Sequence, residues 1–324
     1  MLRRTWAPAA GLAIALCVGI ATAEEITVIA LPVALNPQDP ERTTVGALEY
    51  RGGLRLASGN AAFGGISGLR VSADGTHLLA ITDRAAWFQS QLVYRDGLLV
   101  GMANADIAPI RDASGRPLVP PRSDAESFVR VPGGLIAGYE RAHRLVHYEV
   151  DAEGRPLPNG AYMLKTPPQL QNAPNNGGLE AMTVLADGRL LAITEELETG
   201  DGFAGWIIAG DTFEPLSYVA MAGFNPTDAT TLPNGDVLVL ERRFTLFERV
   251  GRIVRIRAAD IRPGARLMGA EVARIAPPLQ TDNFEGIDAV PDPQGGIRLF
   301  LASDDNFGPL QRTLLLQFWM PADL

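Results

Sequence analysis

Carboxylates recur in this chain where an apolar strand is about to begin. Glu126 opens "ESFVRV", Glu180 opens "EAMTVL", Asp228 opens "DATTL" and Glu285 opens "EGIDAV", with Ser67 at the same point of "SGLRVS". These openings are 59, 54, 48 and 57 residues apart. After a turn, each strand is followed by a second that ends in acid: Asp83, Glu140, Glu195, Glu241, and Asp304 with Asp305. Arg84, Arg141, Arg242 and Arg243 stand beside them. In an antiparallel hairpin the start of one strand and the end of the next share one end. The spacing therefore predicts Ser67 near Asp83, Glu126 near Glu140, Glu180 near Glu195, Asp228 near Glu241, and Glu285 near Asp304 and Asp305. Carboxylates gathered this way repel unless protons, arginines or a hard cation compensate. Calcium, which takes about 6–8 oxygen ligands, suits such a ring. The chemistry on offer is assisted hydrolysis: a metal lowers the pKa of a water, a carboxylate takes its proton and arginines hold an anion. On this reading the metal ligands are Glu126, Glu180, Asp228, Glu285, Asp304 and Asp305. The catalytic carboxylates are Glu180, Glu285 and Asp304, and the substrate contacts are Arg84, Arg141 and Arg242.

Other chemistries find less support. His77, His143 and His147 lack the spacing of a zinc site. Gly65 to Leu69 read G-I-S-G-L, which is not the G-x-S-x-G of a nucleophilic serine. No glycine-rich phosphate loop is present. "SDDNF", Ser303 to Phe307, is dense in oxygen donors but lacks the spacing of an EF-hand.

The elements that must carry these residues form five units: 64–84, 124–141, 176–196, 225–243 and 283–306. Each is an apolar strand, a turn and a second apolar strand. The turns at Asp74-Gly75, Gly133-Gly134, Asp187-Gly188 and Asn234-Gly235 are hairpin signals. The segments after the units supply two further strands each, such as "RLVHYEV" and "GAYMLKT". After the fifth only "TLLLQFW" remains, so "ALEYRGGLRLA" near the N-terminus is expected to add the missing outer strand. The sequence thus predicts one all-β propeller of four-stranded antiparallel blades, closed by its N-terminal segment. Five blades follow from the units. Six follow if "EITVIALPVAL" builds another. The carboxylates then ring one mouth of the central channel.

Composition narrows the partners. The 324 residues carry a formal net charge of -9, and Lys165 is the only lysine. No broad basic surface is available for nucleic acid or anionic membranes. "MLRR", an apolar run and "ATA" before Glu24 read as an export signal, residues 1–23, leaving a domain over 24–324. The one cysteine, Cys17, lies inside that signal, so the mature chain has no thiol chemistry. The expectation is a periplasmic or secreted monomer, free of the membrane after cleavage, that acts on a small molecule.

"GGISGL" with "ITDR", then "DAESF", "GGLEAMTVL", "VLER", "NFEGIDAV" and "SDDNF" resemble, in that order, the family called esterase-like activity of phytase. The resemblance spans about Gly64 to Asn306. It implies an exported propeller that hydrolyses an ester or phosphoester. Ser127 departs from it, standing where the family usually has glycine. A calcium-dependent lactonase and a non-catalytic binding propeller remain the alternatives on the residues alone.

Overall fold

The computed structural model describes residues 23–245 and 248–323. Residues 1–22 of the expected export signal lie outside the described residues. The N-terminal segment supplies β1 (Glu24–Glu25), β2 (Val28–Pro32), β3 (Thr44–Val45) and β4 (Leu48–Ser58). Unit one forms β5 (Ile66–Val71), β6 (His77–Thr82), β7 (Ala86–Arg95) and β8 (Leu98–Pro109). Unit two forms β9 (Ala125–Val131), β10 (Gly134–Tyr139), β11 (Arg144–Val150) and β12 (Pro156–Leu164). Unit three forms β13 (Leu179–Val184), β14 (Leu190–Thr199), β15 (Gly202–Ala209) and β16 (Thr212–Tyr218). Unit four forms β17 (Asn225–Thr231), β18 (Val237–Phe244), β19 (Arg249–Ile256) and β21 (Ala270–Ile275), and the connection between β19 and β21 carries β20 (Arg266–Leu267), which joins the sheet of unit three. Unit five forms β22 (Asn283–Pro291), β23 (Ile297–Asp304) and β24 (Thr313–Met320). The described helices are two 3-10 turns, Pro168–Asn172 and Ala258–Asp260.

The architecture is all-β and propeller-like. Strand order runs β12-β11-β10-β9 in unit two, β13-β14-β15-β16-β20 in unit three and β17-β18-β19-β21 in unit four. Units one and five share a larger sheet, because β4 pairs antiparallel with β24 along Thr313↔Leu56 to Trp319↔Glu49 and touches β8 at Gly52↔Leu99. Gly52 is required there, since a Cβ would run into the Leu99 backbone. The Glu24–Pro32 segment makes no sheet of its own: β1 extends β8 and β2 extends β4.

The first strands touch in the cyclic order β5, β9, β13, β17, β22 and back to β5. Alternating apolar residues fill the gaps between neighbouring units. Trp87 and Phe128 pack edge-on between units one and two, with ring centres 5.5 Å apart. Met182 and Trp206 meet Leu145 between units two and three. Val239 and Val254 meet Ile207 between three and four. Phe284 and Leu299 meet Leu240 between four and five. Phe300 and Leu315 meet Leu69 and Phe88 between five and one. Each fully buried side chain of this size contributes about 1.5–3 kcal/mol. The cohesion therefore lies between units.

At the centre, Arg70 of β5 ties the strands together. It pairs with Asp228 through two bonds of 2.9 and 3.0 Å. It also donates to the carbonyls of Met182 at 3.0 Å and Ile287 at 3.1 Å, and lies 5.4 Å from the Phe128 ring centre. One guanidinium thus contacts β9, β13, β17 and β22 from β5.

Candidate functional site

Each first strand carries one extra residue just inside its N-terminal end. The pairing register shifts around Ser67 in β5, Glu126 in β9, Glu180 in β13, Thr227 in β17 and Glu285 in β22. Such a bulge leaves one residue unpaired and re-aims its side chain. Three of the five re-aimed side chains are glutamates. The position across the hairpin is held by Asp83, Glu140, Glu195, Arg242 and Asp304, in unit order.

Two of the expected ligands are therefore elsewhere. In unit four the bulge falls on Thr227, so Asp228 turns inward to Arg70. Its oxygens also accept the Ile287 and Ala229 N–H groups. Glu241, expected opposite it, faces unit three and accepts from the Tyr218 hydroxyl and Arg252 Nη1, both at 2.5 Å. Asp305 is also committed: its Oδ1 accepts the Gly65 and Phe307 N–H groups and its Oδ2 the Thr313 hydroxyl, all at 3.0 Å. Arg84 stacks over Phe307 at the surface, 3.3 Å from the ring centre.

The rest converge. A cavity of about 180 Å³ is lined by Asp83, Asp124, Glu126, Glu140, Glu180, Glu195, Glu285 and Asp304, with Arg141 and Arg242. Eight carboxylates face two guanidiniums. Both arginines are held by the acids, with Arg141 Nε 2.5 Å from Asp124 and Arg242 Nη2 2.6 Å from Glu195. Arg242 also bonds Glu285, and the side-chain amide oxygen Oδ1 of Asn283 at 2.8 Å. Glu140 accepts the Gly178 N–H at 2.5 Å. Glu180 is only 5% exposed, yet its Oε2 meets no donor. Asp83 Oδ1 is likewise buried without a partner.

Burial raises the pKa of Asp83, Glu126, Glu140, Glu180, Glu285 and Asp304, and neighbouring carboxylates add to it. Asp83 is pushed up to about 7 by burial and then by Asp304. Burial carries Asp304 to about 6 and Glu140 to about 8. Glu126 and Glu180 rise well above the usual range through burial and then through Glu140 and Glu195 respectively. Glu285 rises through burial, opposed by Arg242.

Two regions differ in what they can hold. Asp124, Glu126 and Glu140, all from unit two, bring one oxygen each within 4.8 Å of one another. An all-oxygen donor set with no imidazole or thiol fits a hard cation such as calcium or magnesium, not zinc or copper. Across the cavity, Arg242 presents a guanidinium between Glu195 and Glu285. Above it opens a groove of about 360 Å³ walled by Asn176, Asn225, Asn283, Asn306, Glu196 and Phe244. Asp124 and the amide wall were not singled out from sequence. The leading Asp of "DAESF" was a signal for the first. Asn225 and Asn283 open β17 and β22, Asn176 and Asn306 lie in loops, and the four carry no common spacing.

His77 and His147 stand outside this cavity, whereas His143 abuts it: its ring and Glu140 lie on the same side of Gly178, and its buried Nδ1 has no partner. His77 is exposed beside Thr76 and Gln91, and His147 stacks on Tyr162 at 4.5 Å.

The family model described as Phytase-like, esterase-like activity of phytase, matches residues 61–307. No curated protein matches the chain in sequence. Among solved structures, the chain is similar to an endo-arabinase from Bacteroides thetaiotaomicron VPI-5482. That match has 11% identity, covers 80% of this chain and 94% of the other, and has a TM-score of 0.47. It is similar to a gluconolactonase from Xanthomonas campestris at 10% identity, covering 93% and 96%, with a TM-score of 0.42. The PQQ-bound aldose sugar dehydrogenase from Streptomyces coelicolor matches at 13% identity, covering 90% and 98%, with a TM-score of 0.44.

Proposed function

The chain belongs to the phytase-like family, that of the esterase-like activity of phytase, and from that premise we propose that it is a hydrolase working in the acidic cavity. The observation that carries the reading is the unpartnered, buried Oε2 of Glu180, set between the Asp124–Glu126–Glu140 cluster and Arg242. A buried acceptor without a donor is costly unless something else occupies the site. Asp124, Glu126 and Glu140 would hold one calcium ion, with Asp83 beside them. The ion would supply Lewis-acid polarisation and a bound water of lowered pKa.

The chain's own groups do the rest. Glu180 takes a proton from the attacking water and returns it to the leaving oxygen as the acyl C–O bond breaks. Neutralising Glu140 removes one of the charges that raise the Glu180 pKa, so that more of Glu180 is ionised and able to accept a proton. Arg242 faces the oxygen on which negative charge develops, and Glu195 and Glu285 fix its orientation. Asp304 completes the wall between them. In this scheme Glu180 is the catalytic carboxylate, while Arg242 and Arg141 are the anion contacts.

A carboxylic ester or lactone is favoured over a highly charged phosphoester. Both guanidiniums are already paired, and an excess of carboxylates repels phosphate. The groove walled by four asparagines and Phe244 offers amides to hydroxyls and a ring to an apolar face. We read the ring as five four-stranded blades with β4 completing the last, supported by the cyclic contact of five first strands. The N-terminal sequence supports export, and we take the exported chain to act as a monomer.

The test is calcium content after native purification, with hydrolysis of aryl esters, lactones and phosphoesters in calcium or chelator. We expect calcium-dependent cleavage of an ester or lactone. Glu126→Gln should weaken calcium binding, read as thermal stabilisation, by about tenfold, the equivalent of ~1.4 kcal/mol. Glu180→Gln should retain that stabilisation and lose about 10²–10⁴ in rate. A chain that binds no divalent cation and cleaves none of the panel overturns the reading.

A further inference from the structure

A second cavity, of about 340 Å³, lies on unit two away from the acidic channel. Its floor is one face of the outer strands, where alternation brings Arg144, Val146 and Tyr148 of β11 beside Ala161 and Met163 of β12. Its roof is the loop between β8 and β9, which contributes Leu118, Val119 and Arg122. Ala161 is what leaves the space open. A larger residue there would fill the gap between strand and loop, as large side chains do between the other units.

The charge in this cavity has the opposite sense to the chain as a whole. Arg144 is 5% exposed and lies 3.9 Å from the Tyr139 ring centre. Its Nη atoms donate to the carbonyl oxygens of Ala142 and Arg122. The titratable groups that act on it are another guanidinium, Arg122, and the neutral phenols of Tyr139 and Tyr148. The one acid of the lining, Asp112, is spent on its own loop: Oδ1 accepts the N–H groups of Ser114 and Arg116, and Oδ2 lies 3.7 Å from Arg116 Nε. Buried charges are ordinarily paired. Among the described residues, Arg144 has carbonyl dipoles and a ring face but no carboxylate partner.

Around the arginines the surface is apolar. Val119 and Met163 are 66% and 64% exposed. The volume falls within the ligand-pocket range of about 300–1,000 Å³. A cationic end joined to an apolar slot matches an amphipathic anion: carboxylate at Arg144 and Arg122, hydrocarbon over Ala161.

We propose that this cavity is a binding site for a small amphipathic carboxylate, such as a medium-chain fatty acid, seated on Arg144 and Arg122 and filling the space beside Ala161. The site is independent of the hydrolytic reading, sharing no residue with the acidic cavity.

The test uses octanoate, octan-1-ol and octylammonium on the full chain, by calorimetric titration and thermal unfolding. Octanoate should bind saturably, one per chain, and raise the unfolding temperature. Octylammonium should not. Ala161→Phe fills the slot, and Arg122→Ala and Arg144→Met remove the charge. Each should weaken octanoate about tenfold or more, the worth of one charge-assisted contact or of the lost space. Where Arg144→Met fails to fold, Ala161→Phe and Arg122→Ala carry the test, with cooperative unfolding as proof of their fold. The proposal is overturned by absence of saturable octanoate binding, by equal binding of octylammonium, or by an undiminished affinity in Ala161→Phe.

Discussion

At the scale of single residues, burial lifts several acids of the cavity above the ordinary carboxylate range. Asp83 near 7, Asp304 near 6 and Glu140 near 8 all lie above the unfolded values of about 3.9 for Asp and 4.3 for Glu. Between about pH 4 and 8 these three groups therefore hold more protons in the folded chain than in the unfolded one. Stability must then fall as pH rises through that window. The contribution is fully present below the unfolded pKa values and is lost above the folded ones. In chelator, the unfolding temperature should drop steadily from pH 5.5 to pH 8.5. Calcium should flatten the slope, because a cation stabilises the deprotonated carboxylates that the bare cavity disfavours. Thermal scans across pH with chelator or calcium check this. A chelated protein whose melting temperature climbs over that range would contradict the burial argument.

At the scale of the strand, the site is made by a β-bulge repeated in all five units. A bulge costs one ladder position and gains a redirected side chain. This explains what was and was not legible in the sequence. The hairpin turns, the five apolar strand pairs and the acids at their ends could all be read from turn chemistry and alternation. Register could not, because a bulge leaves no compositional mark. In units two, three and five the opening glutamate happens to be the bulged residue. In unit four the bulge falls one position earlier, on Thr227, so the nearest acid, Asp228, was taken for its equivalent. The same one-residue slip put Glu241 in place of Arg242, hiding the fact that one unit answers the acids with a cation. The difference is measurable. Asp228→Asn removes the charge from a pair buried to within 1% on the acid side and leaves Arg70 stranded, at a cost of about 3–5 kcal/mol. Its calcium affinity should stay unchanged. Glu126→Gln should show the reverse, with weakened calcium and near-normal stability of the chelated protein. If Asp228→Asn weakened calcium as much as Glu126→Gln, the bulge assignment would fail.

At the scale of the whole molecule, each sheet is buried only by its neighbours, so closure of the ring is what makes every unit stable. The acidic mouth sharpens this requirement, since its carboxylates push the first strands apart while Arg70 and Asp288 hold them together. Asp288 accepts the Val71 N–H at 2.6 Å and the Thr230 hydroxyl at 3.0 Å, linking β22 to β5 and β17. The central place of Arg70 follows only from the way the five first strands meet, not from spacing along the chain. The weakest point is the outer edge of unit five, because its last strand, β4, comes from the other end of the chain. Removing residues 24–58 should expose the β24 edge and the side chains of Leu315 and Phe300 that Leu54 and Leu56 pack near. An open edge with buried-type residues beside it aggregates. The truncated chain should therefore be insoluble or unfold without cooperativity. A synthetic peptide of residues 44–58 added during refolding should restore a soluble, cooperatively unfolding complex, because β3 and β4 pair with each other and β4 brings the full set of ladder bonds to β24. Cooperative unfolding of the truncated chain alone, at the melting temperature of the intact one, would mean that β4 does not close the ring.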